Sequence, residues 1–301
     1  MATADWHEVG ARVYRRRFDP CDVTVTAVLG EAGVAVVDTR CSPAEARELK
    51  ELIRRLTALP VRWVVDTHAH FDHTWGNAEF LAPRLDPPAR IWAHRRVPDR
   101  LRLDETGLAE VRALLPPASL AGLGCGLGEF EPAEPTDLVA DRAEIDLGGR
   151  VLELRHHGRG HTDGDLWVAV PDAGVVLAGD QVEQSGPPAF GPDSFPLEWP
   201  GTLDRALAWM GPDTTVVPGH GEPVDRAFVE DQRTVIDAIA RETARLYADA
   251  VPVHRAAEAG TWPVPAGAVL DAVRRGYAAL AAAGPAPGLA QNPHNAALRA
   301  K

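Results

Sequence analysis

Cysteine, lysine and methionine are scarce in this chain. The three cysteines in 301 residues, Cys21, Cys41 and Cys125, stand in no Cys-x-x-Cys arrangement and cannot all pair with one another. A core of this size needs no disulfide framework, so the expectation is a reducing compartment and a cytoplasmic address. No apolar run approaches the roughly 20 residues that cross a bilayer. The segment from Met1 to Phe18 has no basic stretch followed by an apolar one, so neither export nor membrane attachment is expected. Positive charge is also short: 31 basic against 43 acidic side chains give −12. That field repels polyanions, no local run of Lys and Arg offsets it, and a nucleic-acid partner is not expected.

What the chain does have is turns and apolar residues. Glycine (27), proline (26) and 45% hydrophobic content describe a folded chain rich in loops. Alternation in VTVTAVLG (Val23 to Gly30) and the apolar run VAVVDT (Val34 to Thr39) predict two strands. From Ser42 the period changes. Ser42 as N-cap, Pro43 at the first helical position, Glu45 closing a capping box, and Leu49, Leu52, Ile53, Leu56 and Leu59 on one face predict a helix. Further strands are read in RWVVDT, ARIWAH, RVLEL, DLWVAV and GVVLAGD. Helices are read in WGNAEFLA near Asn77, in TLDRALAWM near Leu203, from Asp225 onward, and over Val269 to Ala283. Two segments break the pattern: Arg96 to Thr136, with Gly-rich and Pro-rich stretches, and the loop Glu183 to Pro200.

The chemistry is concentrated in HAHFDH, where His68, His70, Asp72 and His73 fall within six residues. At the end of an extended strand, positions i and i+2 project to one side, so His68 and His70 can grip one ion. The turn that follows lets Asp72 and His73 face a second. Three later segments add ligands after strand-like runs: His161 in GHTDGD, Asp180 in LAGD and His220 in VPGH. Five imidazoles and two carboxylates without a thiolate suit Zn²⁺ best, with Fe²⁺ or Mn²⁺ as alternatives. His156 and His157, close to His161, compete with it for the ligand role. His94 reads as a packed strand-end histidine, and His7, His254 and His294 as surface residues.

In that order and at those separations, THAHFDH, GHTDGD, LAGD and VPGH resemble the signature of the metallo-β-lactamase superfamily, with Asp38 in VVDT matching its first motif. The resemblance covers about residues 10 to 225. It implies an α/β fold, a four-layer αββα sandwich of two mixed β-sheets flanked by helices, with the metals at one edge of both sheets. Residues 1–225 would form that domain, carrying the 96–136 insertion as a lid or an oligomer contact, and 226–301 a C-terminal helical extension packed on it. Carried over by motif, His68, His70 and His161 would hold one ion, Asp72, His73 and His220 the second, and Asp180 would bridge.

The implied activity is hydrolysis of an ester, thioester or lactone of a small-molecule substrate by a hydroxide shared between two Zn²⁺. Asp72 would serve both as ligand and as a catalytic group that orients the water. Imidazole ligands must be neutral, so occupancy and activity are expected to fall together below about pH 6. Two other readings stay open: a mononuclear iron oxidoreductase of the persulfide-dioxygenase type, and a metal-binding protein without turnover. Antibiotic hydrolysis is disfavoured, because β-lactamases of the family generally lack an aspartate at the position of Asp180 and are exported. Trp75, Phe190, Phe195 and Trp199 are candidates for an apolar substrate wall, with ordinary packing as the rival account. Arg159 is a candidate for a substrate carboxylate, with a solvated arginine as its rival. A homo-oligomer is left open, and Cys125, with no His or Asp partner nearby in sequence, is not read as catalytic.

Overall fold

The computed structural model describes residues 6–284. The expected extension to residue 301, with His294 in it, therefore lies partly outside the described residues. Seven strands build the first sheet: β1 (His7–Gly10), β2 (Val13–Phe18), β3 (Val23–Leu29), β4 (Val34–Val37), β5 (Val61–Val65), β6 (Arg90–His94) and β7 (Asp137–Val139). They pair in sequence order, antiparallel from β1 to β4 and parallel from β4 to β7. The second sheet holds β8 (Arg142–Asp146), β9 (Val151–Arg155), β10 (Trp167–Val170), β11 (Val175–Glu183) and β12 (Thr215–His220). Here the pairs are antiparallel up to β11, and β11 and β12 run parallel. A single residue pair, His220 with Val23, joins the two sheets.

Helices cover both outer faces. Along the chain they are α1 (Pro43–Leu56), α2 (Phe71–Thr74), α3 (Glu105–Leu114), α4 (Pro117–Ala121), α5 (Trp199–Trp209), α6 (Arg226–Ala248), α7 (Val253–Ala259) and α8 (Leu270–Ala283). Alternate residues of each strand feed different layers. Val168 and Val170 of β10 point into the space between the sheets, with Val28, Val37, Val65, Leu154 and Leu177. Trp167 and Ala169 of the same strand face α5 and α6, against Leu203, Ala206, Val229 and Ile236. On the other side Val25, Ala27, Val36 and Val64 meet Ala46, Leu49 and Ile53 of α1. This is the αββα arrangement.

The helix starts are chemically explicit. Ser42 Oγ accepts from Glu45 N at 3.3 Å, while the Glu45 carboxylate accepts from Cys41 N at 3.2 Å, so the capping box closes one residue earlier than its usual form. Asp225 caps α6 by accepting from Phe228 N at 2.9 Å. Two expectations are corrected. The alternating VTVTAVL strand is buried at all seven positions, because β3 lies inside a sandwich with one face on α1 and the other on the second sheet. The helix expected near Asn77 is only a 3₁₀ turn, Asn77–Phe80, whose polar side chains turn inward: Asn77 bonds Asp66, and buried Glu79 pairs with Lys50 and Arg47.

The first half of α6, beyond residue 225, belongs to the outer helical layer through Val229 and Ile236. Its second half forms a separate core with α7 and α8 around Ile239, Leu246, Ala256, Val269 and Val273. The 96–136 segment carries α3 and α4 and builds a satellite core of Val111, Leu115, Leu123 and Leu127 on Trp75 and Cys41. Among the described residues no helix is long and apolar enough to cross a membrane.

Candidate metal centre

The parallel strands bring their carboxyl ends to one edge. Asp38 follows β4, Asp66 to His68 follow β5, Asp180 lies in β11 and His220 ends β12. Gly179 sits there with φ of +53° in the middle of β11, beside the Thr67 side chain, and so delivers Asp180 to the edge. His70 N-caps the single turn α2, which turns Asp72 and His73 back toward the strands. His161 arrives on the loop between β9 and β10.

His68, His70, His161 and Asp180 form one group whose ligand atoms lie within 4.8 Å of one another, as do Asp72, His73 and His220 in a second group. Asp180 lies between them: Oδ2 is 3.7 Å from His68 Nε2, 3.4 Å from His161 Nε2 and 3.3 Å from His220 Nε2, and Oδ1 is 3.3 Å from His73 Nε2. Asp72 Oδ2 is 3.4 Å from His220 Nε2 and 3.5 Å from His73 Nε2.

The outward nitrogen of every imidazole is tied down, and this fixes what the inward nitrogen offers. His161 Nδ1 donates to the Ala189 carbonyl and His220 Nδ1 to the Cys21 carbonyl, both at 2.9 Å. His73 Nδ1 donates to Asp38 Oδ2 at 2.7 Å. Thr67 gives its hydroxyl proton to Asp38 at 2.9 Å, so Thr67 Oγ1 accepts from His68 Nδ1 at 3.1 Å. His70 is reversed: its Nε2 meets Asp193 Oδ2 at 3.2 Å, and its Nδ1 faces inward.

When all five rings are neutral, each presents a lone pair to the centre. His70 Nδ1 and His161 Nε2 then face each other at 3.0 Å with no proton between them. His68 Nε2, His73 Nε2 and Asp180 Oδ1 are buried without a hydrogen-bond partner. In that state seven acceptors converge with no donor among them, and nitrogen and oxygen atoms of this kind fit divalent cations.

The electrostatics divide the rings, two favouring the neutral form and two a charged form whose proton an ion must displace. Burial pushes His68 well below the usual imidazole value and His161 down to about 4. Burial also opposes charge on His220, but Asp180 and Asp72 outweigh it and raise that group to about 10. His73 is raised for the same reason by Asp180, Asp72 and Asp38. Asp180 is held well below the carboxylate range, because three imidazoles outweigh its burial.

A family model described as the metallo-beta-lactamase superfamily matches residues 18–220. The chain belongs to this superfamily. A metallo-beta-lactamase type 2 of Bacillus cereus is 25% identical over 200 residues, 65% of this chain and 66% of that protein. The alpha subunit of a 2,4-dinitroanisole O-demethylase from Nocardioides is 27% identical over 71% of this chain and 57% of its own length. A human acyl-coenzyme A thioesterase, MBLAC2, is 25% identical over 70% of this chain and 72% of its own. Of the first of these relatives, the chain spans less than two thirds of the length. Among solved structures, a stereoselective inverting sec-alkylsulfatase from Pseudomonas gives a TM-score of 0.71 at 19% identity, covering 94% of this chain and 52% of that one. A metallo-beta-lactamase from Pontibacter korlensis gives 0.57 at 18% identity, covering 77% and 98%. These likenesses show the αββα fold and a metallo-hydrolase-like chain.

The other residues singled out in sequence fall elsewhere. His156 stacks on His94 at 4.2 Å and bonds the Asp165 carbonyl through Nδ1, and His157 lies against Trp167 and Trp209; neither joins the cluster. Trp75 is buried against Phe71 and Phe130. Trp199 is fully buried between Phe190 and His161. Arg159 is clamped by both oxygens of Glu198 and lies over the Phe195 ring.

Three acidic residues and one cysteine pair escaped sequence reading. Asp193 orients His70; burial works to raise its pKa, but the His70 bond and charge bring it down to about 2. Asp165, fully enclosed, accepts from Thr162 N, Thr162 Oγ1 and Gln181, which shapes the His161 loop. Glu183 is buried next to Asp180 and His220, and burial and the Asp180 charge push it up to about 8. Cys21 and Cys41, 20 positions apart, hold their sulfurs 3.4 Å from each other, a juxtaposition their spacing does not announce. Only the last D of GHTDGD hinted at any of these, and its partner Gln181 lies on β11.

Proposed function

We propose that the chain is a di-zinc hydrolase that cleaves an ester, thioester or lactone bond of a small molecule. The observation that carries this reading is the convergence of five imidazoles and two carboxylates at one edge of the two sheets. His68, His70 and His161 would hold one ion, Asp72, His73 and His220 the other, and Asp180 has an oxygen toward each set. A nitrogen and oxygen donor set without thiolate suits Zn²⁺, with Fe²⁺ and Mn²⁺ as weaker fits. When bound, such ions supply a water deprotonated near neutral pH and a Lewis acid for the acyl oxygen.

The protein's own part is positional. Asp38, Thr67, Asp193 and the carbonyls of Cys21 and Ala189 fix ring orientation, so each inward nitrogen is aimed at the cluster before an ion arrives. Asp72 brings a second carboxylate, suited to orienting the attacking water. No serine or cysteine nucleophile is needed. The thioesterase among the relatives supports an acyl bond as the target.

The experiment is metal analysis of protein purified without added metal, followed by a screen of thioesters, lactones and aryl esters. Two zinc per chain with turnover of one of these classes is the expected result. One iron per chain with oxygen uptake on a persulfide would overturn it, as would two zinc with no hydrolysis across the screen.

A further inference from the structure

We infer that the groove between the Glu183–Pro200 loop and α8 binds an oxyanion carried on the non-reacting end of the substrate, with Arg275 as the recognition residue. The inference rests on the hydrolase reading for its substrate and on separate observations for its site. The groove is a cavity of about 300 Å³ lined by Arg159, Ser194, Phe195, Glu198, Arg275 and Ala279, among others.

Two guanidinium groups face one carboxylate in it, so the lining is net positive in a chain whose overall charge is −12. The two arginines are used differently. Arg159 gives Nε and Nη2 to the two oxygens of Glu198. Arg275 gives only Nε, to the Ser194 carbonyl at 2.9 Å, and rests on the Phe195 ring at 5.2 Å. Among the described residues neither of its Nη atoms has a hydrogen-bond or ion-pair partner. That leaves a fixed fork of donors, the geometry that carboxylate and phosphate oxygens take up. Ser194, in the same lining, has a buried hydroxyl that also lacks a partner among the described residues. Phe195, Pro196, Leu197, Ala278 and Ala279 give the apolar wall that a carbon chain leading to the anion requires.

The groove is also next to the metal centre in the chain. Asp193, adjacent to Ser194, orients His70, and Phe195 N donates to the Gly160 carbonyl, adjacent to His161. On this proposal the acyl carbon lies at the cluster and the charged end in the groove, with the Asp193 to Phe195 segment touching both.

The test compares matched thioesters: a neutral acetyl ester of N-acetylcysteamine, the same acyl group on phosphopantetheine, and a succinyl ester of N-acetylcysteamine. The second carries phosphate on the thiol side and the third a carboxylate on the acyl side, so the two sources of anion separate. In Arg275→Ala and Arg275→Gln, the KM for one anionic ester should rise at least tenfold relative to the KM of the same variant for the neutral ester. Arg275→Lys should recover most of that ratio. Arg274→Ala, one position from Arg275, removes a charge paired with Asp271 and should leave the ratio as in the unmodified chain.

The proposal is overturned if the ratio stays put in both arms. It is equally overturned if Gln restores it, since Gln can still donate to the Ser194 carbonyl and would show that Arg275 only braces the loop. Calorimetric titration with the non-hydrolysable thioethers of the two anionic esters gives a readout independent of turnover. If no acyl bond is hydrolysed, the reaction reading fails, while tenfold weaker thioether binding in Arg275→Gln still supports the groove and absent binding still overturns it.

Discussion

His73 Nδ1 donates to Asp38 Oδ2 over 2.7 Å, and that bond decides which ring nitrogen faces the His and Asp cluster. Asp38 also accepts from Thr67 N at 2.8 Å and from Thr67 Oγ1 at 2.9 Å, so one buried carboxylate sets two histidines, His73 directly and His68 through Thr67. It does so from φ of +66°, a left-handed conformation that Asp and Asn tolerate better than other side chains.

Asp38→Asn therefore keeps the backbone and removes the charge. An amide nitrogen facing His73 Nδ1 favours the tautomer whose proton sits on Nε2, directed at the metal position. Metal affinity at the Asp72, His73 and His220 group should fall about 10- to 100-fold. Competition with a chromophoric chelator measures it, and unchanged affinity would rule out the orienting role.

Gly219 has no room for a side chain: a Cβ there would stand 1.8 Å from Asp180 Oδ1. Gly219→Ala must displace the Asp180 carboxylate or the β12 backbone. Metal content should drop below half of the unmodified level while circular dichroism still reports the mixed fold. Full metal content would mean that Asp180 can relax.

Removing metal should destabilise the protein, since ions bind the folded cluster far better than the unfolded chain. With free ion at about 100 times Kd the linkage is roughly 2.7 kcal/mol, which for a chain of this size is about 4 °C in Tm. A melt with and without chelator, then with zinc restored, reads it. Coincident curves would argue against occupied ligand positions.

His94 and His157 give a pH dependence separate from the cluster. Burial lowers both to about 4, assisted by the nearby His156 for His94 and by Arg155 for His157, against an ordinary value of 6.5. Between those limits the unfolded chain binds more protons than the folded one, so stability is present above about pH 6.5 and is lost as pH falls toward 4. In chelated protein the urea midpoint should be lower at pH 5 than at pH 7.5. His94→Gln combined with His157→Gln should narrow the gap by roughly 1 kcal/mol after solvent screening. An undiminished gap would assign the acid loss to other groups.

Much of this molecule is readable along the chain, because its local signals are strong. A capping box starts α1, an Asp cap starts α6, apolar runs mark the inner strands, and HxHxDH places four metal-capable groups in one turn. Each depends on residues within about four positions, where steric period and hydrogen-bond reach leave few alternatives. What the tertiary structure decided lies between distant segments. Asp193 reaches His70 across 123 positions and the Cys21 carbonyl reaches His220 across 199, contacts that no spacing encodes. The same holds for Trp75, Trp199 and Arg159, whose surroundings were settled by which neighbours closed over them. A side chain's chemistry is carried by its own atoms, but its burial and its partners are properties of the packed layers, and those exist only once the two sheets and their helices have come together.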